Sequence, residues 1–258
     1  MLKLKIKSLS KRNLLNAFYI FFLGAISSYS LPPYNYFIIN FFTFSLFFIF
    51  LYKKKEKNLI NKSFFKYGWF FGLGYFLSSL YWISISLTFD ESFKFLIPIA
   101  IVLLPAFLAI FYGVITYLFA AFYSKNLISS FFIFSIVFGS IEFIRGFIFT
   151  GFPWNLIAYS FSKNINFIQI LSIIGTYSFN LFCISLFSVP AVFILRQDRK
   201  QIIVSFFFIL ISVAFLIFGN LKNNQFNSLD NIKNPFVIRA ISPNISLDRF
   251  YSKQDELK

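Results

Sequence analysis

Histidine is absent from this sequence of 258 residues, and cysteine occurs only once, at Cys183. Without histidine the chain cannot form a Ser-His-Asp triad, a zincin-type metal site or an imidazole proton relay. A single cysteine excludes an internal disulfide and a CxxC metal site. Charged residues are also scarce, because they make up 13% of the chain against roughly 25% of an average soluble domain. We therefore expect neither a bound metal nor a cofactor.

What the sequence has instead is hydrophobic residues in long runs. They make up 58% of the chain, and the mean hydropathy is +0.74. Runs of about 18 residues or more are long enough to cross a bilayer, and they recur along the chain. This pattern predicts an all-α polytopic membrane protein with about seven transmembrane helices. The predicted runs are 14–31, 36–52, 64–87, 95–123, 127–149, 165–195 and 202–219.

Lysine and arginine are distributed unevenly between the two sides of these helices. If the N-terminus is cytoplasmic, the cytoplasmic segments hold fifteen of them, and the outer loops between helices hold two, Lys94 and Lys163. The fifteen lie in 1–13, 53–66, 125 and 196–200. Because cytoplasmic loops carry such an excess, we predict a cytoplasmic N-terminus and an extracytoplasmic location for residues after 220. The net charge of +15 comes largely from segments that flank helices, so no nucleic-acid partner is expected.

A change of composition after Gly219 divides the chain into three predicted parts. Residues 1–221 are assigned to a transmembrane domain, and the Asn-rich residues 222–235 to a linker. Residues 236–258 open with a predicted β-strand, Phe236–Ile241. A single strand with about twenty further residues cannot bury a core. We therefore expect this last part to be the beginning of an extracytoplasmic domain.

The most informative segment runs from Glu142 to Trp154 and reads EFIRGFIFTGFPW. Glu142 and Arg145 are three residues apart, so on a helix they share one face and are close enough to pair. Ionisable side chains in a bilayer face protein or a wet cavity, because exposure to lipid is costly. Pro153 biases Phe152 away from helical angles, and Trp154 then follows at a position typical of the membrane interface.

Four blocks of sequence resemble the apolipoprotein N-acyltransferase family. They are Ser30–Phe50 (SLPPYNYFIINFFTFSLFFIF), Gly68–Leu87 (GWFFGLGYFLSSLYWISISL), Glu142–Ser160 (EFIRGFIFTGFPWNLIAYS) and Val237–Ile245 (VIRAISPNI). Ser242 departs from the family pattern, which favours Gln before Pro-Asn-Ile. The resemblance implies a multi-helix domain in the bacterial cytoplasmic (inner) membrane, followed by an extracytoplasmic α/β domain of the carbon–nitrogen hydrolase, or nitrilase-like, type.

The resemblance also implies a reaction. A phospholipid donates an acyl chain to a catalytic Cys, and the thioester then acylates the α-amino group of a diacylglyceryl-cysteine apolipoprotein. The family's catalytic Glu, Lys and Cys belong to the hydrolase domain. None of the three matches a position in this sequence, and we expect all of them to lie beyond Lys258, its last residue.

Cys183 is not a candidate for the nucleophile, because a thiol within a membrane helix forms little thiolate. The chain alone is therefore expected to be inactive. A non-catalytic lipid-binding protein and a small carrier remain as alternatives.

Each candidate site residue has two interpretations. Glu142 and Arg145 either contact a lipid headgroup or form an ion pair that packs helices. Phe152, Pro153 and Trp154 either anchor the chain at the interface or form a wall of the cleft through which lipids enter.

Other residues are given structural roles. The aromatic residues Trp69, Tyr81 and Trp82 are interpreted as interfacial aromatics. Gly72 and Gly74 are interpreted as positions at which a neighbouring helix packs closely.

Overall fold

A computed structural model describes residues 2–57, 59–89, 91–149, 151–196, 198–228, 239, 241 and 242, with side chains from residue 13 onward. Regular structure in this part of the chain is entirely helical. The α-helices are α1 (Leu2–Ser27), α2 (Ile38–Glu56), α3 (Asn61–Leu80), α4 (Ile97–Phe122), α5 (Leu127–Arg145), α6 (Ile165–Ile168), α7 (Leu171–Ile194) and α8 (Arg199–Asn227). Short 3-10 helices cover Ser28–Ser30, Tyr81–Thr88, Glu91–Leu96 and Ile157–Phe161.

In the described part of the chain, five helical segments are long and apolar enough to cross a membrane, which makes this a multi-pass membrane protein. They are Asn61–Thr88, Glu91–Phe122, Leu127–Arg145, Leu171–Ile194 and Arg199–Asn227. The predicted count of about seven also includes α1 and α2, which are not among these five. α2 carries Lys53, Lys54 and Lys55 in its last turn.

The predicted runs and the observed helices differ at the end of α5 and within the run 165–195. α5 ends at Arg145, four residues before the predicted end of its run. The run 165–195 is divided into α6 and α7, and Gly175 interrupts the helical path of α7 with a φ of 73°. Pro105 and Pro190 lie inside α4 and α7, which is common in membrane helices.

The predicted linker and strand lie at the edge of the described part of the chain. α8 continues to Asn227, which is six residues into the segment 222–235 that composition assigned to a linker. The predicted strand Phe236–Ile241 falls, apart from Arg239 and Ile241, outside the described residues. Residues 243–258 also lie outside them, up to and including Lys258. The start of a hydrolase domain at 236–258, and catalytic residues beyond Lys258, therefore stay predictions.

α3 packs closely against α1 on one side and α4 on the other, as its glycines predict. A Cβ atom at Gly74 would lie 2.1 Å from the carbonyl oxygen of Phe21 in α1. One at Gly72 would lie 2.8 Å from Tyr112 Cβ in α4. The packing role predicted for Gly72 and Gly74 is therefore confirmed. Fully buried phenylalanines fill much of the interior: Phe44, Phe47, Phe48, Phe64, Phe71, Phe76, Phe119, Phe131, Phe134, Phe138, Phe179 and Phe187.

The two ends of the bundle differ in their connections. At one end, here the loop end, longer segments join α1 to α2, α3 to α4 and α5 to α6. At the other end, here the lysine end, four-residue segments join α2 to α3, α4 to α5 and α7 to α8. The lysine end includes Lys53–Lys57 and the hydrogen bond from Tyr52 Oη to the Lys125 carbonyl oxygen, at 2.8 Å.

Candidate functional site

Glu142 is a buried carboxylate near the loop-end terminus of α5. Its Oε1 accepts hydrogen bonds from Arg145 Nη2 at 3.1 Å and from Tyr112 Oη at 3.0 Å. Its Oε2 accepts one from Asn180 Nδ2 at 3.0 Å. The side chain of Asn180 continues the network, because its Oδ1 accepts from the backbone N–H of Ala158 at 2.9 Å. One carboxylate thus links α4, α5 and α7, and through Asn180 it reaches the 3-10 helix at 157–161.

Arg145 ends α5 and turns its side chain towards the loop that follows. Its Nη1 donates to the carbonyl oxygens of Phe152 at 2.9 Å and Trp154 at 3.0 Å. Its guanidinium carbon lies 5.4 Å from the centre of the Phe76 ring and 5.9 Å from that of Phe152. Arg145 and Glu142 are each 1% exposed. Carbonyl groups of backbone that leaves a helix need other partners, and Arg145 supplies one for each of these two.

The loop between Gly146 and Leu156 has a conformation that could not continue the helix. Phe149, Gly151 and Asn155 have positive φ angles of 53°, 83° and 57°. The N–H of Phe152 donates back to the carbonyl oxygen of Arg145 at 3.0 Å. Tyr75 Oη of α3 donates to the carbonyl oxygen of Asn155 at 2.9 Å. Two helices therefore hold this loop by its backbone.

Beside this loop lies a cleft of about 430 Å³ at the loop end of the bundle. Three separate segments form it: the turn after α1, the last residues of α3 with the 3-10 turn that follows, and the segment after Pro153. The lining residues are Ser28, Leu31, Pro32, Pro33, Tyr34, Ser78, Ser79, Tyr81, Trp82, Trp154, Asn155, Tyr159 and Ser162. Three of the four sequence blocks thus meet at one place.

Two indole rings form one side of the cleft. The rings of Trp82 and Trp154 are stacked, with their centres 5.4 Å apart and an angle of 16° between their planes. They are 44% and 49% exposed, so the stack presents a large part of its surface to the cleft and the surroundings. Tyr159 Oη donates to the carbonyl oxygen of Pro153 at 3.2 Å. Burial raises the pKa of Tyr159 above its ordinary value, so its hydroxyl stays protonated and can donate.

The cleft has the chemistry of a binding site. Its described lining consists of aromatic rings, hydroxyls, an amide and apolar residues, and includes no Asp, Glu, Lys, Arg or Cys side chain. Such a surface can hold an amphiphilic molecule by apolar contact and a few hydrogen bonds. It offers no thiolate nucleophile and no general base that is charged at neutral pH.

The structure separates the five predicted site residues into two groups. Only Trp154 lines the cleft. Phe152 packs against Trp154, with ring centres 5.7 Å apart, and Pro153 offers its carbonyl oxygen to Tyr159. Glu142 and Arg145 lie behind the loop and bond the protein's own groups. This geometry favours the interpretation of the pair as a packing element that positions the loop.

Several residues that build the site were not singled out by the sequence. Tyr75, Tyr112 and Asn180 complete the buried network, and a polar side chain inside an apolar run was the available signal for each. Tyr81 and Trp82, interpreted from the sequence as interfacial aromatics, line the cleft. Trp69 lies elsewhere and donates from Nε1 to the carbonyl oxygen of Ala106 in α4, at 3.0 Å.

Comparison with known proteins gives a consistent result. Residues 23–189 match the family described as "Apolipoprotein N-acyltransferase N-terminal domain". A protein named apolipoprotein N-acyltransferase from Rhizobium rhizogenes is 35% identical over 182 residues, which are 68% of this chain and 34% of that protein. Proteins of the same name from Brucella melitensis and Rickettsia prowazekii are 29% and 35% identical, over 88% and 86% of this chain. The chain spans 34% to 43% of the length of these three relatives.

Proposed function

The chain belongs to the apolipoprotein N-acyltransferase family, and from that premise we propose that it forms the membrane part of such an enzyme. The reaction is the transfer of an acyl chain from a phospholipid to the N-terminal amine of a diacylglyceryl-cysteine apolipoprotein. The observation that carries this proposal is the cleft at the loop end. Three blocks that resemble the family converge on it, and its walls suit an amphiphilic substrate.

The proposed topology puts this cleft on the extracytoplasmic face of the bacterial inner membrane. The N-terminus is cytoplasmic, α1 and α2 cross the membrane together with the five most apolar segments, and residues after 220 are extracytoplasmic. The distribution of Lys and Arg, fifteen in the inner segments against two in the outer loops between helices, supports this orientation. α2 then runs from the extracytoplasmic side to the cytoplasmic lysine end.

Substrate binding in this proposal depends on the indole stack. Indole rings suit the boundary between headgroups and hydrocarbon, because they combine an apolar face with one N–H donor. A volume of about 430 Å³ lies within the range of small-ligand pockets, roughly 300–1,000 Å³. The cleft therefore holds a headgroup or the first part of an acyl chain, while the rest of the lipid stays in the bilayer.

The role of the buried pair is to keep the cleft in one shape. Arg145 holds the carbonyl groups on either side of Pro153, and Glu142 holds Arg145. Preorganised contacts of this kind reduce the conformational entropy that is lost when a ligand binds. Bond breaking is assigned to the hydrolase domain that the family resemblance implies, since the described lining of the cleft has no catalytic acid, base or thiol.

A chimera tests this function. Residues 23–189 of this chain replace the matching region of a full-length relative, and mass spectrometry measures N-acylation of a lipoprotein in cells depleted of their own enzyme. We expect the chimera to acylate, and we expect Trp154→Ala to lower the rate about tenfold because a wall of the cleft is lost. Trp154→Phe should retain most of the activity.

Phe95→Ala is the matched control, because Phe95 is 71% exposed at the loop end and does not line the cleft. It should leave both membrane insertion and acylation unchanged. If the Trp154→Ala and Phe95→Ala chimeras acylated at equal rates, Trp154 would be an interfacial anchor and not a wall of the substrate cleft. A correctly inserted chimera without any acylation would contradict the proposed function itself.

A further inference from the structure

A second groove lies at the lysine end, between α1 and α2. Its volume is about 550 Å³. The cleft described above belongs to the opposite end of the bundle, so the two share no residues. The groove combines a basic part with an apolar part, and each has its own position along α2.

The basic part consists of three lysines. Lys53 and Lys54 belong to the last turn of α2, and Lys57 follows the end of the helix. Asn13 and Asn16 of α1 face them across the groove and add amide groups. Among the described residues that line the groove none is acidic, although Glu56 is adjacent in sequence. This part of the surface therefore favours an anion.

The apolar part continues along the same face of α2. Leu46, Ile49 and Phe50 precede Lys53 and Lys54 at helical spacings of three and four residues, so all five side chains form one stripe. Seven residues separate Leu46 from Lys53, which is a distance of about 10 Å along the helix axis. Along α2 the lining of the groove thus changes from apolar to basic over about the length of one lipid headgroup and the first part of its acyl chain.

α1 supplies the other apolar wall. The rings of Tyr19 and Phe50 have centres 6.1 Å apart, across the two helices. Tyr19 is 42% exposed and Leu46 is 40% exposed, so the groove is open at its side. In a membrane protein an apolar opening at this depth faces the hydrocarbon of the bilayer.

We infer that this groove binds one anionic phospholipid from the leaflet at the lysine end. The headgroup phosphate contacts Lys53, Lys54 and Lys57, and an acyl chain lies along Tyr19, Leu46 and Ile49. Charge complementarity distinguishes this ligand from a zwitterionic lipid, and the apolar wall distinguishes it from a soluble phosphate. The site goes beyond the proposed acyl transfer, because it lies at the other end of the bundle from the substrate cleft.

Native mass spectrometry of the purified full chain tests this site. The probes are phosphatidylglycerol, phosphatidylcholine with the same acyl chains, and glycerol phosphate, which lacks chains. We expect phosphatidylglycerol to bind at least about tenfold more tightly than either of the others. Similar affinity for the two lipids, or for glycerol phosphate and phosphatidylglycerol, would overturn the inference.

Two groups of variants locate the binding. Lys53/Lys54/Lys57→Gln should lower the affinity for phosphatidylglycerol about tenfold or more, whereas the same three lysines changed to Arg should preserve it. Arg196/Arg199/Lys200→Gln is the matched control, since it removes three charges at the lysine end outside the groove. Equal losses in the groove variant and the control would show a diffuse basic surface and would overturn the site.

A third variant tests the site without changing any charge, and it remains informative if the lysine variant does not insert correctly. Ile49→Trp fills the apolar part of the groove and leaves the three lysines in place. It should lower the affinity for phosphatidylglycerol severalfold, while glycerol phosphate binding stays as weak as before. Undiminished lipid binding by Ile49→Trp would contradict the placement of the acyl chain.

Discussion

The loop end and the lysine end of the bundle manage their polar groups in opposite ways. At the lysine end, three four-residue connections join the helices and carry exposed basic residues. At the loop end, the connections from α1, α3 and α5 are 10, 16 and 19 residues long. There, Glu142, Arg145 and Asn180 are buried and hold the loop backbone from inside. The same sequence thus uses charge at the surface of one end and in the interior of the other.

This difference has a physical cause. A four-residue turn at the edge of a bilayer reaches water, so its carbonyl and N–H groups need few partners from the protein. A 19-residue connection that packs back onto the helices takes its backbone out of water, and every polar group that it buries needs a partner. The loop end should therefore be sensitive to single substitutions to which the lysine end is indifferent.

Arg145→Met should have the largest effect. It leaves Glu142 as a buried charge without its cation and removes the donor for the carbonyl groups of Phe152 and Trp154, so the free energy of unfolding should fall by about 3–5 kcal/mol. Thermal unfolding of the purified protein in detergent measures this loss. Adding Glu142→Gln to Arg145→Met should recover part of it, because the lone charge is then removed.

Arg199→Met is the matched control at the lysine end, where Arg199 is exposed in the first turn of α8. Its effect should stay within about 0.5 kcal/mol. If Arg145→Met and Arg199→Met destabilised the protein equally, the contrast between the two ends would have no energetic basis.

The sequence predicts the helices of this fold better than it predicts their ends. Apolar runs locate each long helix of the described residues, because the cost of exposing backbone in a membrane makes a long apolar run helical. The apolar run predicts an end of α5 at 149, whereas the helix ends at Arg145, because Gly146–Phe149 are as apolar as the helix before them. What ends the helix is the bonding of Arg145 to carbonyl groups seven and nine residues later, and no local pattern reveals it.

The cleft was only partly predictable for a similar reason. Trp154 is a candidate from the sequence because it follows Pro153 at a helix end, but Trp82 has the same sequence pattern as any interfacial aromatic. The two rings stack because the fold brings the 3-10 turn after α3 next to the loop after α5, and their distance in sequence hides this contact. Asn180 is a single polar residue in an apolar run, and its two partners, Glu142 and Ala158, lie 38 and 22 residues away in sequence.

Asn180→Leu should have an intermediate effect. The substitution removes one donor to Glu142 and leaves the buried N–H of Ala158 without its acceptor, so the free energy of unfolding should fall by about 1–3 kcal/mol. Ser188→Ala on the same helix is the control. Ser188 is also fully buried, but its hydroxyl donates only to the carbonyl oxygen of Ile184 within α7, at 2.9 Å. A loss from Ser188→Ala as large as that from Asn180→Leu would show that burial, and not the link to the loop, sets the cost.

A pair of Tyr→Phe substitutions gives the smallest and sharpest comparison. Tyr75 at the loop end and Tyr52 at the lysine end each donate a hydrogen bond to a loop carbonyl, at 2.9 Å and 2.8 Å. Tyr75→Phe should cost about 1 kcal/mol, because it loosens the Asn155 carbonyl from α3 inside a packed loop. Tyr52→Phe should cost less, because the carbonyl that it releases belongs to the exposed Lys125 and water can replace the hydroxyl. Urea unfolding of both variants measures the two losses in free energy of unfolding, and we expect the loss from Tyr75→Phe to be the larger. If Tyr52→Phe cost more than Tyr75→Phe, access to water would not be what separates the two ends.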